Sequence, residues 1–269
     1  MNKSKLKNKI SELKLVILAG GLGSRLSEET IVKPKPLVEI GGIPIILHLM
    51  KYYSNYGVNK FIICLGYKGH MIREFFINRY LSKTNLKIDL INRNKLNFIG
   101  KKKENWTIEF IETGQKSLTG KRLKIIEPLL SENFLFTYGD GLSDIKIDET
   151  VDKFFKSRCL GLLSSVKINP KYGIINFGKS DLINSFLEKK SKTETWINAG
   201  FGIFNKKALN YISKNENIPF EGRPLSNMAK QKKLVSYKHR GFWKSMDTLR
   251  DKMEFEEIFK TNPLWLKKK

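Results

Sequence analysis

Apolar runs alternate with helix-period segments through the first two thirds of this chain, which is the pattern of βαβ units wound into a largely parallel sheet. LKLVILAG, residues 13–20, reads as a first buried strand. Residues 44–56 follow as a helix, with Pro44 in its first turn and Gly57 just past its end. FIICLGY at 61–67 is the next strand, and a helix over about 70–81 places Ile72, Phe75, Phe76 and Tyr80 on one face. LKIDLI and WTIEFIET read as strands, GKRLKIIEPLL as a helix, and NFLFTYGD as a buried strand ending in Asp140. A helix near 148–158 and the strand LGLLSSVKI complete the alternation.

From about residue 170 the rhythm shortens to GIINF, LINSFLEK and INAGFGIFN, expected to extend the sheet and cap a site, with helices near 206–213 and 224–232. A final helix, LRDKMEFEEIFK, turns Leu249, Met253, Phe255 or Glu256, and Phe259 to one side. Residues 1–12 and 263–269 read as basic tails, and 92–105 as a polar, mobile insert. The body, 13–262, divides into halves at about residue 145. With 269 residues the chain can bury a full core without staples.

Composition narrows the classes further. No apolar run approaches the roughly 18 residues of a membrane span, so no membrane partner is expected. Cys64 and Cys159 lack metal-ligand spacing and read as buried, reduced thiols, which points to the cytoplasm, as does the polar, basic opening MNKSKLKNKI. The net charge of +24 invites a nucleic-acid reading. Only 9 of the 50 basic residues are arginine, however, and lysine is spread along the whole chain among many Asn and Ile. Such drift also follows from codon bias, no nucleic-acid-binding signature accompanies it, and no specific nucleic-acid partner is expected. His48, expected within a helix, and His70 and His239, expected in loops or at the surface, are too scattered for a metal site or a triad.

The most informative segment is LAGGLGSRLSEETIVKPKP, residues 18–36. A strand running into Gly20, Gly21 and Gly23 lets backbone N–H groups approach a phosphate chain or a flat base, or simply makes a tight turn. A dinucleotide fingerprint fails because position 26 is Leu26, and no P-loop occurs. Arg25 follows, and Pro34 and Pro36 hold Lys33 and Lys35 on a stiff strap suited to presenting cations. Asp140 ends a strand, where open α/β sheets bind ligands. It also reads as a turn acid, and Asp247 as the N-cap of the helix near Leu249.

These residues resemble the signature of sugar-1-phosphate nucleotidyltransferases, and SEETIVKPKPLVEIGGIPI is similar to the glucose-1-phosphate cytidylyltransferase branch of that family. The likeness continues through GYKG (66–69), TGQKSLTGKRLK (113–124), FLFTYGDGLSD (134–144), INAGFGIF (197–204) and GFWKSMDTLRDK (241–252). It implies a Rossmann-like, GT-A-like α/β fold: a single mixed, mostly parallel sheet flanked by helices, with a smaller sugar-binding C-terminal extension. The first half, about 13–145, would serve the nucleotide and the second, 146–262, the sugar phosphate.

The implied reaction transfers a cytidylyl group from CTP to α-D-glucose 1-phosphate, giving CDP-glucose and pyrophosphate for deoxysugar and surface-polysaccharide precursors. Another nucleotide (dTTP, UTP or GTP) or sugar phosphate is the nearest alternative, and a basic nucleic-acid-binding or non-catalytic sugar-nucleotide-binding protein the alternative of another class. The resemblance assigns Arg25 and Lys35 to catalysis, and Leu18, Ala19, Gly20, Gly21, Gly23, Ser24, Ser117, Arg122 and Gly139 to the nucleotide. It assigns Glu188, Lys189, Asn198 and Gly200 to the sugar phosphate, and Asp140 and Asp247 to Mg²⁺. A homo-oligomer is implied as well. Two departures stand out: Lys190 replaces the proline expected after Glu188 and Lys189, and Arg223 interrupts the usual acidic pattern in FEGRPL.

Overall fold

The computed structural model of the chain describes residues 2–23, 26–81, 85–88, 96–99, 104–168, 174–177, 183–187 and 195–266. Seven strands form the central sheet: β1 (Lys14–Leu18), β2 (Lys60–Leu65), β3 (Thr107–Glu112), β4 (Asn133–Tyr138), β5 (Gly161–Ile168), β6 (Thr195–Asn205) and β7 (Leu234–His239). Their spatial order is β7-β5-β6-β4-β1-β2-β3. β1 runs parallel to β2 and β4, β2 to β3, and β5 to β7, whereas β6 is antiparallel to both its neighbours, β4 and β5. The mixed, mostly parallel sheet is the one expected, and β6 and β7 from the last third of the chain belong to it.

Besides a single turn at Ser27–Thr30, the described residues form seven longer α-helices: α1 (Lys3–Glu12), α2 (Ile45–Ser54), α3 (Gly69–Leu81), α4 (Thr119–Ile126), α5 (Ile147–Ser157), α6 (Arg223–Lys230) and α7 (Leu249–Thr261). Strand residues point alternately to the two faces, which explains why the strands read as unbroken apolar runs. Leu15, Ile17, Phe61 and Ile63 join a core with residues of α2, α5 and α7. Val16, Leu18, Ile62 and Cys64 face the other way, onto Leu123 and Ile126 of α4 and Met228 of α6. Each fully buried Leu, Ile or Phe contributes roughly 1.5–3 kcal/mol, so both faces hold the sheet. Burial pushes the Cys64 thiol up to about 12, keeping it protonated. Cys159 is half-buried. No helix of the described residues is long and apolar enough to cross a membrane.

Several local expectations are corrected. The basic start is not a loose tail: α1 is capped by Asn2, buries Ile10 and sets Lys9 over the Phe155 ring at 3.8 Å. At the other end Leu264–Leu266 forms a 3₁₀ turn that buries Trp265 completely. The polar insert contributes a strand, Leu96–Ile99, pairing with Asn85–Ile88 in a hairpin separate from the main sheet. Ile174–Phe177 and Ile183–Leu187 likewise pair with each other rather than extending the sheet. Helix α4 stops at Ile126, and Glu127–Leu129 is a 3₁₀ turn, because Pro128 has no N–H to continue an α-helical ladder. Lys206–Tyr211 is 3₁₀ as well. The buried side of α7 is Phe255, flanked by Ile258 and Phe259, while Met253 is exposed. His70 is exposed on α3, but His239 ends β7 and is buried.

His48 fastens the C-terminal turn to α2. Its Nδ1 accepts from Trp265 Nε1 at 3.1 Å, which leaves Nε2 to donate to the Ile40 carbonyl at 2.9 Å. Acceptance at Nδ1 requires the neutral ring, and burial holds its pKa below the ordinary 6.5. The unfolded chain therefore takes up a proton that the native state resists. Stability is fully present above about pH 6.5 and falls as the pH drops from there towards the native pKa. Urea unfolding between pH 8 and 5 is expected to show this loss, and His48→Gln to flatten it.

Candidate active site

The site is built where β1 and β4 end. Beyond β1 the chain is drawn across the sheet: Ala19 N donates to Cys64 O at 3.1 Å, Gly139 N to Leu18 O at 3.1 Å, and Tyr67 N to Gly20 O at 3.3 Å. A cleft of about 400 Å³ opens over this crossing. Leu18, Ala19, Gly20, Gly21, Gly23, Lys35, Ser117, Arg122, Gly139 and Asp140 all line it. Most of the residues singled out in sequence are thus brought to one place. Ser24, Arg25, Glu188, Lys189 and Lys190 lie outside the described residues.

Beneath the glycine loop lies Arg122, 3% exposed. Its Nη1 donates to Leu65 O at 2.9 Å and Thr113 Oγ1 at 2.6 Å, and its Nη2 to Gly20 O at 2.8 Å. Burial opposes its charge and lowers its pKa from the ordinary arginine value, yet a guanidinium stays protonated in proteins. Among the described residues no carboxylate pairs with it, so a positive charge with only neutral partners sits under the loop and favours an anion above. The close approach requires glycine at position 20, where a Cβ would stand 2.1 Å from Arg122 Nη1.

Lys35 follows Pro34 in a short 3₁₀ turn, Lys35–Leu37, held by Leu37 N to Pro34 O at 2.8 Å. Its Nζ donates to Asp140 Oδ2 at 2.7 Å and to Asp247 Oδ1 at 2.9 Å. Burial works against the charge, but the two carboxylates outweigh it and raise the Lys35 pKa above 10.5. Lys33, on the same strap, reaches only Glu29 and Glu39 at 3.9 and 4.0 Å and stays out of the site.

The two acids meet because their segments are zipped together. Gly141–Ser143 pairs antiparallel with Trp243–Ser245, and Met246 N donates to Asp140 O at 2.9 Å. Asp247 is not the helix cap. Thr248 caps α7 in a capping box with Asp251, which frees the Asp247 carboxylate for Lys35 and for Ser245, whose hydroxyl donates to Oδ2 at 2.9 Å. Lys244 anchors the same segment through Asp251 at 3.0 Å and Glu254 at 2.6 Å. A second cleft of about 450 Å³, lined by Lys167, His239, Arg240, Trp243 and Lys244 among others, includes Asp247. The triad of Lys35, Asp140 and Asp247 therefore sits at the seam of two clefts.

Two carboxylates facing one cation are a donor set suited to Mg²⁺, which takes one or two protein carboxylates and fills its octahedron with water and phosphate oxygens. The described residues contain no group of three or more His, Cys, Asp or Glu able to hold a metal by themselves, so the remaining ligands would come from substrate and solvent.

Asn198 and Gly200, expected at the sugar phosphate, line neither cleft, and Gly200 lies behind Tyr138 of the first. Gly200 has φ +77°, and its N–H donates to Asn198 Oδ1 at 2.9 Å. A Cβ there would strike the Tyr138 ring at 2.4 Å. Tyr138 and Thr119 also line the first cleft. They were passed over in sequence because only their position beside Gly139 and Ser117 marks them. Arg223 is turned away onto Glu216 in a surface ion pair.

With this geometry in place, comparison with known proteins is direct. Residues 14–258 match the nucleotidyl transferase family model. Two curated glucose-1-phosphate cytidylyltransferases, from Salmonella typhimurium and Salmonella typhi, are each 42% identical over 250 residues, 92% of this chain and 96% of theirs. The structure of HddC from Yersinia pseudotuberculosis, complexed with GMP-PN, superposes with a TM-score of 0.62 at 25% identity, over 92% of this chain and 99% of that one. The chain belongs to the nucleotidyl transferase family. Within it, the chain is similar to sugar-1-phosphate nucleotidyltransferases of the glucose-1-phosphate cytidylyltransferase type.

Gly20→Ala is expected to push the Arg122 guanidinium off its carbonyls. Unsatisfied buried groups of this kind cost about 1–3 kcal/mol, so urea unfolding should register that loss together with weakened nucleotide binding.

Proposed function

We propose that the chain transfers a cytidylyl group from CTP to α-D-glucose 1-phosphate, releasing pyrophosphate and CDP-glucose. The observation that carries this reading is the Lys35 ammonium held between Asp140 and Asp247 where the two clefts meet. The strong likeness to glucose-1-phosphate cytidylyltransferases supports the choice of substrates.

In this reading the first cleft receives CTP. Backbone N–H groups of the loop at Gly20–Gly23 and the charge of Arg122 below it favour the triphosphate, while Ser117 and Gly139 border the nucleoside. A phosphate oxygen of glucose 1-phosphate attacks the α-phosphorus in line. The new P–O bond forms as the bond to the β-phosphate oxygen breaks and pyrophosphate leaves. No covalent intermediate with the protein is needed, so positioning and charge neutralisation account for the rate. Lys35 supplies one fixed cation, and Arg25 is assigned a second on the triphosphate. Glu188 and Lys189 are assigned to the sugar hydroxyls and the sugar phosphate, with Asn198 and Gly200 on the same side. Asp140 and Asp247 would hold Mg²⁺, which neutralises and orients phosphate oxygens when bound.

Pyrophosphate release measured over CTP, dTTP, UTP and GTP, each with several sugar 1-phosphates, tests the reading. CTP with glucose 1-phosphate is expected to give the highest kcat/KM. A higher value for another pair would reassign the substrates, and no release with any pair would overturn the enzymatic reading.

A further inference from the structure

FEGRPL departs from the pattern of similar enzymes, and its acid, Glu221, has a place in the structure that the reaction so far leaves unused. The half-buried Glu221 carboxylate accepts hydrogen bonds from the Tyr138 hydroxyl through Oε1 and from the Thr119 hydroxyl through Oε2. Thr119 Oγ1 in turn accepts from Phe220 N at 2.8 Å, so its one proton is committed to Glu221. The single proton of the Tyr138 hydroxyl is likewise committed to Glu221. Tyr138 immediately precedes Gly139 and Asp140, whereas Thr119 opens α4 two residues after Ser117. One carboxylate thus ties together two walls of the first cleft, the end of β4 and the start of α4.

The neighbouring chain strengthens the tie. Asn217 Oδ1 accepts from Leu118 N at 2.8 Å, and its Nδ2 donates to Lys116 O at 3.1 Å, gripping the loop on both sides of Ser117. Gly120 N donates to Ile218 O at 3.0 Å. Residues 217–221 therefore run along the loop 116–120 as a brace, and Glu221 is the member that reaches across to β4. On the opposite side the Tyr138 ring is stopped by the Gly200 backbone.

We propose that Glu221 is a positioning residue for the nucleotide cleft, holding the Tyr138 and Thr119 hydroxyls as donors turned towards it and so fixing the separation of the walls that receive the nucleoside. This rests on the reading of the first cleft as the nucleotide site. Glutamine at 221 has one acceptor and one donor arm, so it cannot take both hydroxyl protons. Valine at 119 removes the hydroxyl while keeping the branched shape.

The experiment is calorimetric titration of CTP, without sugar phosphate, into wild type, Glu221→Gln, Thr119→Val, their double variant and Thr119→Ser, alongside steady-state kinetics. Each of the first two is expected to weaken CTP binding about fivefold or more, as loss of a charge-assisted hydrogen bond does. The double variant should lie within about twofold of the weaker single, because both changes break one link. Thr119→Ser should restore binding, and kcat at saturation should fall less than affinity. A single variant within about twofold of wild type, or losses that multiply, would overturn the proposal. Should Glu221→Gln not fold, the Thr119→Val and Thr119→Ser pair decides: a loss restored by serine supports it, and no loss overturns it. If wild type binds another nucleotide and not CTP, the same series on that nucleotide still decides for Glu221 while the CTP reading fails. A wild type that binds none of the four overturns both.

Discussion

The structure of the site depends on one ion triad, the Lys35 ammonium between the carboxylates of Asp140 and Asp247. Two acids brought this close repel each other unless a cation lies between them. Lys35 supplies that cation from a short turn after Pro34, with its side chain only 11% exposed. The partners come from the end of β4 and from the segment before α7, more than a hundred residues apart. What makes them neighbours is the short antiparallel pairing of Gly141–Ser143 with Trp243–Ser245. Removing Lys35 from this half-buried network would leave two carboxylates facing each other uncompensated, whereas removing either acid leaves a balanced pair. The same three groups face the seam of two clefts, so the contact that holds the segments together also collects charge where a phosphoryl group would transfer.

Beneath the glycine loop a second constraint works in the same direction. Arg122 is held by carbonyls and a hydroxyl instead of a carboxylate, so its charge is not cancelled locally. It gives the cleft floor a positive character matched to a triphosphate, whereas the charge of Lys35 is offset by Asp140 and Asp247. The two cations differ in kind. Arg122 is a planar fork held by three hydrogen bonds to neutral groups, whereas Lys35 is a point charge held between two carboxylates.

Much of this was legible in the chain itself, and for a physical reason. Strands buried on both faces must be apolar at every position, so β1, β2 and β4 announce themselves, and the acid at the end of β4 marks the ligand end of the sheet. Pro34 and Pro36 likewise advertise the strap that carries Lys35. What escaped depends on pairing across long separations. Nothing local tells that Thr195–Asn205 inserts antiparallel between β5 and β4. Trp265, in a short apolar island beside three lysines, looks like part of a tail until His48 is seen to receive its N–H. Asp247 and Thr248 are both plausible caps in sequence, and only the bond from Asp251 N to Thr248 Oγ1 separates their roles. Glu221 belongs with these, since its partners Tyr138 and Thr119 lie 83 and 102 residues away.

The central claim is that Lys35, Asp140 and Asp247 act as one unit in the chemistry and not merely in holding the fold. Turnover of Asp140→Asn, Asp247→Asn and the double variant, each paired with its urea unfolding curve, tests it most directly. Asparagine keeps the volume and removes the charge, so unfolding should shift by no more than about 1–2 kcal/mol. The account predicts that each single change lowers kcat by about 10²-fold or more and that the double variant is scarcely slower than the worse single, as expected of residues acting together. Near wild-type turnover in either single variant, or losses that multiply in the double, would contradict it.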